Sequence, residues 1–176
     1  FGTTPDLMDE GDPAVVTQWD LINRLSMAFT FLLTQPGIPL VYYGDEVGLA
    51  GSGDPDNRRF MPQALNANRL ELLQRVQQVG QLRQEIYALR HGGRKELWIN
   101  DDMYVYVRDA GPGDVAIVAM NKGGGPQSAE VEIPNALGLT DVSFESRNSD
   151  RTARVINGVM NITLDSWEYT ILTPVD

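Results

Sequence analysis

The sequence predicts two architectures in series: a helix-rich α/β segment over residues 1–94 and an all-β antiparallel sandwich over residues 95–176. Three observations predict it. Two long stretches of the first half repeat apolar residues at three- and four-residue steps, the period of a helix with one buried face. Between them lies an apolar run without polar alternation, as expected of a strand covered on both faces. Beyond residue 95 the period falls to two, with turn signals between the runs.

The first helix is expected to open at Gly11-Asp12-Pro13, where Asp12 caps free N–H groups and Pro13 suits the first turn. Val16, Trp19, Ile22, Leu25, Phe29 and Leu32 then form its apolar face, and Gln35-Pro36-Gly37 ends it. Ile38-Pro39-Leu40-Val41-Tyr42-Tyr43 reads as the buried strand, with Pro39 near its start. Residues 47–62 are rich in Gly, Asp, Asn and Arg and show no period; loops of this length in compact domains are commonly functional. A second helix is expected over residues 66–90, with Leu70, Leu73, Val76, Val79, Leu82, Ile86 and Leu89 on one stripe, stopped by His91-Gly92-Gly93. Helix, strand, loop, helix is the repeating element of a parallel sheet, yet this segment has a single strand and hence unpaired edges.

In the second half, strands are expected at residues 103–108, 114–121, 129–133, 142–145, 153–156, 159–164 and 167–173. Gly111-Pro112-Gly113, Gly123-Gly124-Gly125-Pro126 and Asn157-Gly158 separate some of them, and the last is a strong two-residue hairpin signal. The seam near Gly92-Gly93 leaves an all-β domain of a size that can fold alone.

Composition excludes several classes of function. Fourteen Lys and Arg against 24 Asp and Glu give a net charge of −10, which repels phosphate backbones and anionic lipid, so neither nucleic acid nor a membrane is an expected partner. With no cysteine, there is no thiolate metal site or disulfide, and His91 as the sole histidine leaves imidazole metal sites and Ser/His/Asp triads poorly supplied. The longest strongly apolar run, residues 27–33, is far short of the ~18 residues of a membrane span, so the chain is expected to be soluble, in a compartment the sequence does not indicate. The 176 residues are too few for a complete (β/α)₈ barrel of roughly 250. A start at Phe1 without a basic leader reads as a fragment or a processed product.

Candidate chemistry concentrates in the long loop. Asp45 and Glu46 end the expected strand, where adjacent side chains point to opposite faces, so the two are not expected to flank one scissile bond. Hydrogen bonds that fix the strand end are their better use. In Gly53-Asp54-Pro55-Asp56-Asn57-Arg58-Arg59, a carboxylate and a guanidinium on one rigid loop suit the vicinal hydroxyls of a sugar, one accepting where the other donates. A solvated turn with an internal Asp–Arg pair explains the same residues. A structural calcium is a further, weaker reading, since Asp54-x-Asp56 lacks the other ligands of a calcium loop. His91 fits a helix C-terminus better than catalysis. Trp19, Phe29 and Phe31 follow helical spacing and read as core, as do Tyr104 and Tyr106 on one strand face.

Gln35-Pro36-Gly37-Ile38-Pro39-Leu40-Val41-Tyr42-Tyr43-Gly44-Asp45-Glu46, followed by Gly53-Asp54-Pro55-Asp56-Asn57-Arg58-Arg59, resembles the α-amylase family of glycoside hydrolases, family 13. In that family the first stretch is the eighth strand of the catalytic barrel and the second is the loop after it. Leu82-Arg83 through Leu89-Arg90 is similar to the last barrel helix, and the sandwich resembles the family's domain C. The Asp-Pro-Asp-Asn-Arg-Arg run resembles neopullulanase-like and maltogenic members.

The resemblance implies that residues 1–94 are the last helix-strand-helix of a TIM barrel and 95–176 a domain C. It makes Asp54 and Arg58 the residues that bind a glucose unit of an α-glucan or maltooligosaccharide. It also implies an absence: the family's Asp nucleophile, Glu acid/base and Asn-His-Asp motif have no counterpart in these 176 residues, so no catalytic residue is assigned and the chain alone is expected to be inactive. No cofactor is implied. The expected partners are the missing N-terminal barrel portion or, through the exposed strand, a second copy. The alternative is a non-catalytic carbohydrate-binding or protein-interaction module, built on a sandwich with 6 basic and 13 acidic residues from 95 to 176.

Overall fold

The computed structural model of the chain describes residues 18–51 and 53–175. The expected helix start at Gly11-Asp12-Pro13, with Val16, lies outside the described residues. Helix α1, Gln18–Thr34, uses two faces. Ile22 and Phe29 pack with Leu72, while Met27 and Leu33 turn toward the β-sheet. Ser26, Thr30 and Thr34 are buried between helix and sheet, and Thr30 and Thr34 satisfy their hydroxyls by donating to the carbonyls of Ser26 (2.8 Å) and Thr30 (2.5 Å).

Helix α2, Ala67–Glu85, is capped by Asn66, whose side chain accepts from the Arg69 N–H at 2.9 Å. Its inward stripe is Leu72, Val76, Val79 and Leu82, shifted from the one the sequence suggests: Leu70 is exposed and Leu72 is fully buried. Arg69 accounts for the shift. Its buried guanidinium donates to the Val47 carbonyl at 2.8 Å and so points that side of the helix inward. The helix also stops sooner than expected. Ile86 leaves helical geometry with ψ 108 and sends its side chain into the core, and a separate short helix α3, Tyr87–His91, follows.

The strand expected at residues 38–43 does not form. The segment has no regular structure and pairs with nothing described, and Ile38 and Leu40 are 98% and 81% exposed. A strand exists by its neighbours' hydrogen bonds, and the described residues hold no parallel strand to supply them.

Among the described residues, eight antiparallel strands follow: β1 Gly93–Ile99, β2 Met103–Asp109, β3 Val115–Asn121, β4 Gln127–Glu132, β5 Ser143–Ser146, β6 Thr152–Ile156, β7 Val159–Leu164 and β8 Tyr169–Val175. Their order is β1-β2-β3-β8-β5-β6-β7-β4. The sheet folds over so that Val105, Ile117 and Leu172 meet Val131, Met160 and Ile162 in one core, which is the expected sandwich. The Asn157-Gly158 hairpin forms as its sequence requires, with both residues at positive φ (51° and 80°) and Ile156 paired with Val159. Sequence period did not reveal β1, because its residues Arg94, Lys95 and Glu96 lie exposed at a sheet edge and a bulge between Glu96 and Trp98 breaks the alternation.

The opposite face of β2, β3 and β8 is also covered. Tyr106, Ala116, Val118, Met120, Tyr169 and Ile171 form a second core with Met27, Leu33, Val79, Leu82, Ile86 and Leu89 of the helical segment. Arg108, fully buried, donates to the carbonyls of Thr34 and Gly92, and Arg83 donates to those of Leu33, Gln35, Gly37 and Leu89. Two guanidiniums thus satisfy the carbonyls that α1 leaves open at its C-terminus.

Candidate functional site: an Asp–Arg loop beside an exposed aromatic pair

The site begins where residues 38–43 reach Gly44. Gly44 sits at φ 91°, and a Cβ there would lie 2.7 Å from Leu49, so the turn requires glycine. Asp45–Val47 form a 3₁₀ turn rather than the end of a strand. The Glu46 carboxylate accepts from the Gly44 N–H at 2.8 Å, and the Val47 carbonyl takes the Arg69 guanidinium, which fastens the turn to α2. Glu46 therefore has the structural use expected of it. Partial burial first, then the neighbouring Glu46 charge, raises the Asp45 carboxyl above its ordinary value.

A second 3₁₀ turn, Asp56–Arg58, presents two ion pairs of different character. Arg59 grips Asp56 with two hydrogen bonds, Nε to Oδ1 at 2.8 Å and Nη2 to Oδ2 at 3.0 Å, and both side chains are about four-fifths covered. Tyr43 donates its hydroxyl to the Arg59 carbonyl at 3.1 Å, tying this turn back to residues 38–43. The other pair is Asp54 with Arg58, joined by Arg58 Nη2 and Asp54 Oδ1, with side chains 67% and 61% exposed.

The two sequence candidates are therefore brought together and face outward on a turn braced by a neighbouring pair. An exposed ion pair adds little stability. It does hold in register one free carboxylate oxygen and the remaining guanidinium donors, which is the equipment for vicinal hydroxyls. The bracing pair Asp56–Arg59 went unread as such, although its i, i+3 spacing was visible. A hollow of about 220 Å³ beside the turn is lined by Tyr42, Tyr43, Asp45, Leu49, Ala50, Gly51 and Asn57, and the rings of Tyr42 and Tyr43 lie 4.7 Å apart. Asp54 and Arg58 stand outside that lining.

The remaining candidates are structural. Tyr106 is buried and Tyr104 packs on it at 5.2 Å, as core. His91 ends α3 and stacks on Tyr87 at 4.5 Å. Among the described residues no three His, Asp or Glu side chains converge to hold a metal ion, and no helix is long and apolar enough to cross a membrane. Among the described residues, the large aromatic rings left exposed are Phe31, Tyr42, Tyr43, Phe60 and Tyr87, all in the helical segment and none in the sandwich.

Comparison with known proteins places this loop and sandwich in a family. The chain is 33% identical over 156 residues to a cyclomaltodextrin glucanotransferase of Niallia circulans, covering 84% of this chain and 21% of the relative. It is 32% identical over 162 residues to an amylopullulanase of Thermoanaerobacter thermohydrosulfuricus, covering 86% of this chain and 11% of that protein. The crystal structure of an α-amylase from Geobacillus thermoleovorans, complexed with acarbose, superposes with a TM-score of 0.79 at 29% identity, over 88% of this chain and 34% of that one. The chain belongs to the α-amylase family. No family model matches it. It spans about a fifth or less of the length of these two curated relatives, and its β domain has the architecture of the amylase C-terminal domain.

Proposed function

We propose that the chain is the C-terminal portion of an α-glucan-acting glycoside hydrolase or transglycosidase. Residues 1–94 contribute the last helix-strand-helix of a (β/α)₈ catalytic barrel, and 95–176 form its domain C. The observation that carries this reading is the state of residues 38–43. They are apolar throughout, pair with no strand among the described residues and are largely exposed between two packed helices, as the last strand of a barrel is when its neighbours are elsewhere. Asp54 and Arg58 bind a glucose unit of the substrate at the rim. The residues that break the glycosidic bond lie on polypeptide preceding this chain, which is its principal partner; a second copy is the substitute when that partner is absent. The confinement of exposed aromatic rings to the helical segment weighs against a sandwich that binds sugar by itself.

The test is reconstitution. The purified chain should release no reducing ends from starch, and mixing it with the preceding barrel polypeptide should restore release. In the reconstituted enzyme, Asp54→Ala with Arg58→Ala should lower kcat/KM on maltooligosaccharides roughly ten- to a hundredfold, the scale of losing one or two hydrogen bonds to a charged group. Hydrolysis by the chain alone would overturn the proposal, and unchanged kcat/KM would overturn the role of the pair.

A further inference from the structure

Residues 38–41 make no backbone–backbone hydrogen bond among the described residues, yet the apolar run they open is fastened on both sides by one element. Helix α2 supplies both fastenings. Arg69, in its first turn, is buried and donates to the Val47 carbonyl at 2.8 Å, just beyond the run. Arg83, in its last turn, donates from Nη1 to the carbonyls of Leu33, Gln35 and Leu89 at 2.6, 3.0 and 2.9 Å, and from Nη2 to that of Gly37 at 2.5 Å. Gly37 is the residue immediately before the run. The two arginines stand roughly 21 Å apart along the helix axis, so each acts on a different end. Lysine is no substitute at the second fastening, since a guanidinium offers five donors in a planar fork and an ammonium three from one nitrogen.

A strand ordinarily takes its position from its neighbours; here a helix supplies the anchors first. Ordering loose chain opposes pairing, and a run already held at both ends has less freedom to lose. The Val47 anchor reaches further. It holds the 3₁₀ turn at Asp45–Val47, and the Tyr43 hydroxyl before that turn bonds the carbonyl of Arg59, the neighbour of Arg58. We propose that Arg69 and Arg83 are positioning residues: Arg83 sets the start of residues 38–43 as an edge for a strand of the preceding polypeptide, and Arg69 sets their end and, through Tyr43, the loop that carries Asp54 and Arg58. This rests on the proposed function and names the residues that prepare its interface.

The test titrates the preceding barrel polypeptide into the full chain and reads hydrolysis of maltooligosaccharides. Arg83→Met should raise the partner concentration for half-maximal activity roughly ten- to a hundredfold, the scale of losing charge-assisted hydrogen bonds, and leave kcat/KM at saturating partner within about twofold. Arg83→Lys, which keeps the charge, should recover part of that loss. Arg69→Met should instead raise KM several-fold at saturating partner, with kcat within about twofold of wild type. Arg151→Met is the control: it removes a guanidinium bonded to Glu168 and the Thr163 carbonyl in the sandwich, and should move neither quantity even where it lowers the melting temperature. A half-maximal concentration that is unchanged in Arg83→Met, or raised equally in Arg151→Met, overturns the role of Arg83, and an unchanged KM in Arg69→Met overturns that of Arg69. A chain that stays dimeric in the mixture gives the edge to a second copy and overturns the proposal as well. If no mixture is active, wild type included, the proposed function fails and the arginines are judged on the chain alone. There chymotrypsin should cut after Leu40, Tyr42 and Tyr43 about fivefold faster or more in Arg83→Met than in wild type, and equal rates overturn the brace.

Discussion

Tyr106 lies fully enclosed where β2 meets α1, its hydroxyl hydrogen-bonded to Thr34 Oγ1. Burial pushes its phenol from 10.0 up to about 12, the Thr34 contact opposing the shift in part. The folded chain thus keeps a proton that the unfolded chain releases near pH 10. Below that pH the contribution to stability is complete, and it is lost as pH rises through about 12, an effect on the order of 2–3 kcal/mol. Urea denaturation at pH 9 and pH 11.5 should show that fall in wild type and a smaller one in Tyr106→Phe. Some slope should remain from Tyr169, which burial also shifts upward. At this scale the sequence was informative about type and poor about direction. Tyr104 and Tyr106 were legible as packed residues from their shared strand face. Arg108 was not, because nothing in a two-residue period says that a guanidinium will find two backbone carbonyls in the interior.

Elements were most legible where a turn has strict chemistry. Asn157-Gly158 specified its hairpin because few other residues accept positive φ twice in succession. The break at Ile86 had no such mark: with neither Gly nor Pro there, helical period runs on unbroken through α2 and α3. Residues 38–43 illustrate the opposite limit, an apolar run with a strand pattern that finds no strand to pair with among the described residues. Gly92, between α3 and β1, was visible as a stop, but the reason it must be glycine was not. Its φ of −69° suits any residue; the constraint is space, since a Cβ would come within 2.6 Å of the Ala88 carbonyl and 2.8 Å of the Asp109 backbone. Gly92→Ala should therefore cost about 1–3 kcal/mol by forcing α3 from β2. Gly93→Ala, whose nearest neighbour is 4.0 Å away, should stay within about 0.5 kcal/mol. Thermal melts of the two variants side by side check this, and equal melting temperatures would contradict it.

The whole molecule joins two segments through a shared core rather than a linker. The sequence held a sign of this: residues 115–120 are as continuously apolar as 38–43, and every residue of β3 is buried. An uninterrupted apolar strand inside an alternating domain means that its second face also has a cover. That cover is the helical segment, whose removal would expose Tyr106, Ala116, Val118, Met120, Tyr169 and Ile171 together. A contiguous face of that kind drives association. A chain beginning at Gly93 keeps all eight strands but loses the helical half of the core on the second face of β2, β3 and β8. It should bind a hydrophobic dye, self-associate, and melt roughly 10 °C or more below the full chain, given the few degrees that each lost kcal/mol costs a domain of this size. Sedimentation together with a thermal melt checks all three. A monomer that unfolds cooperatively at the full chain's melting temperature would show that the sandwich stands alone and that the helices are passengers on it.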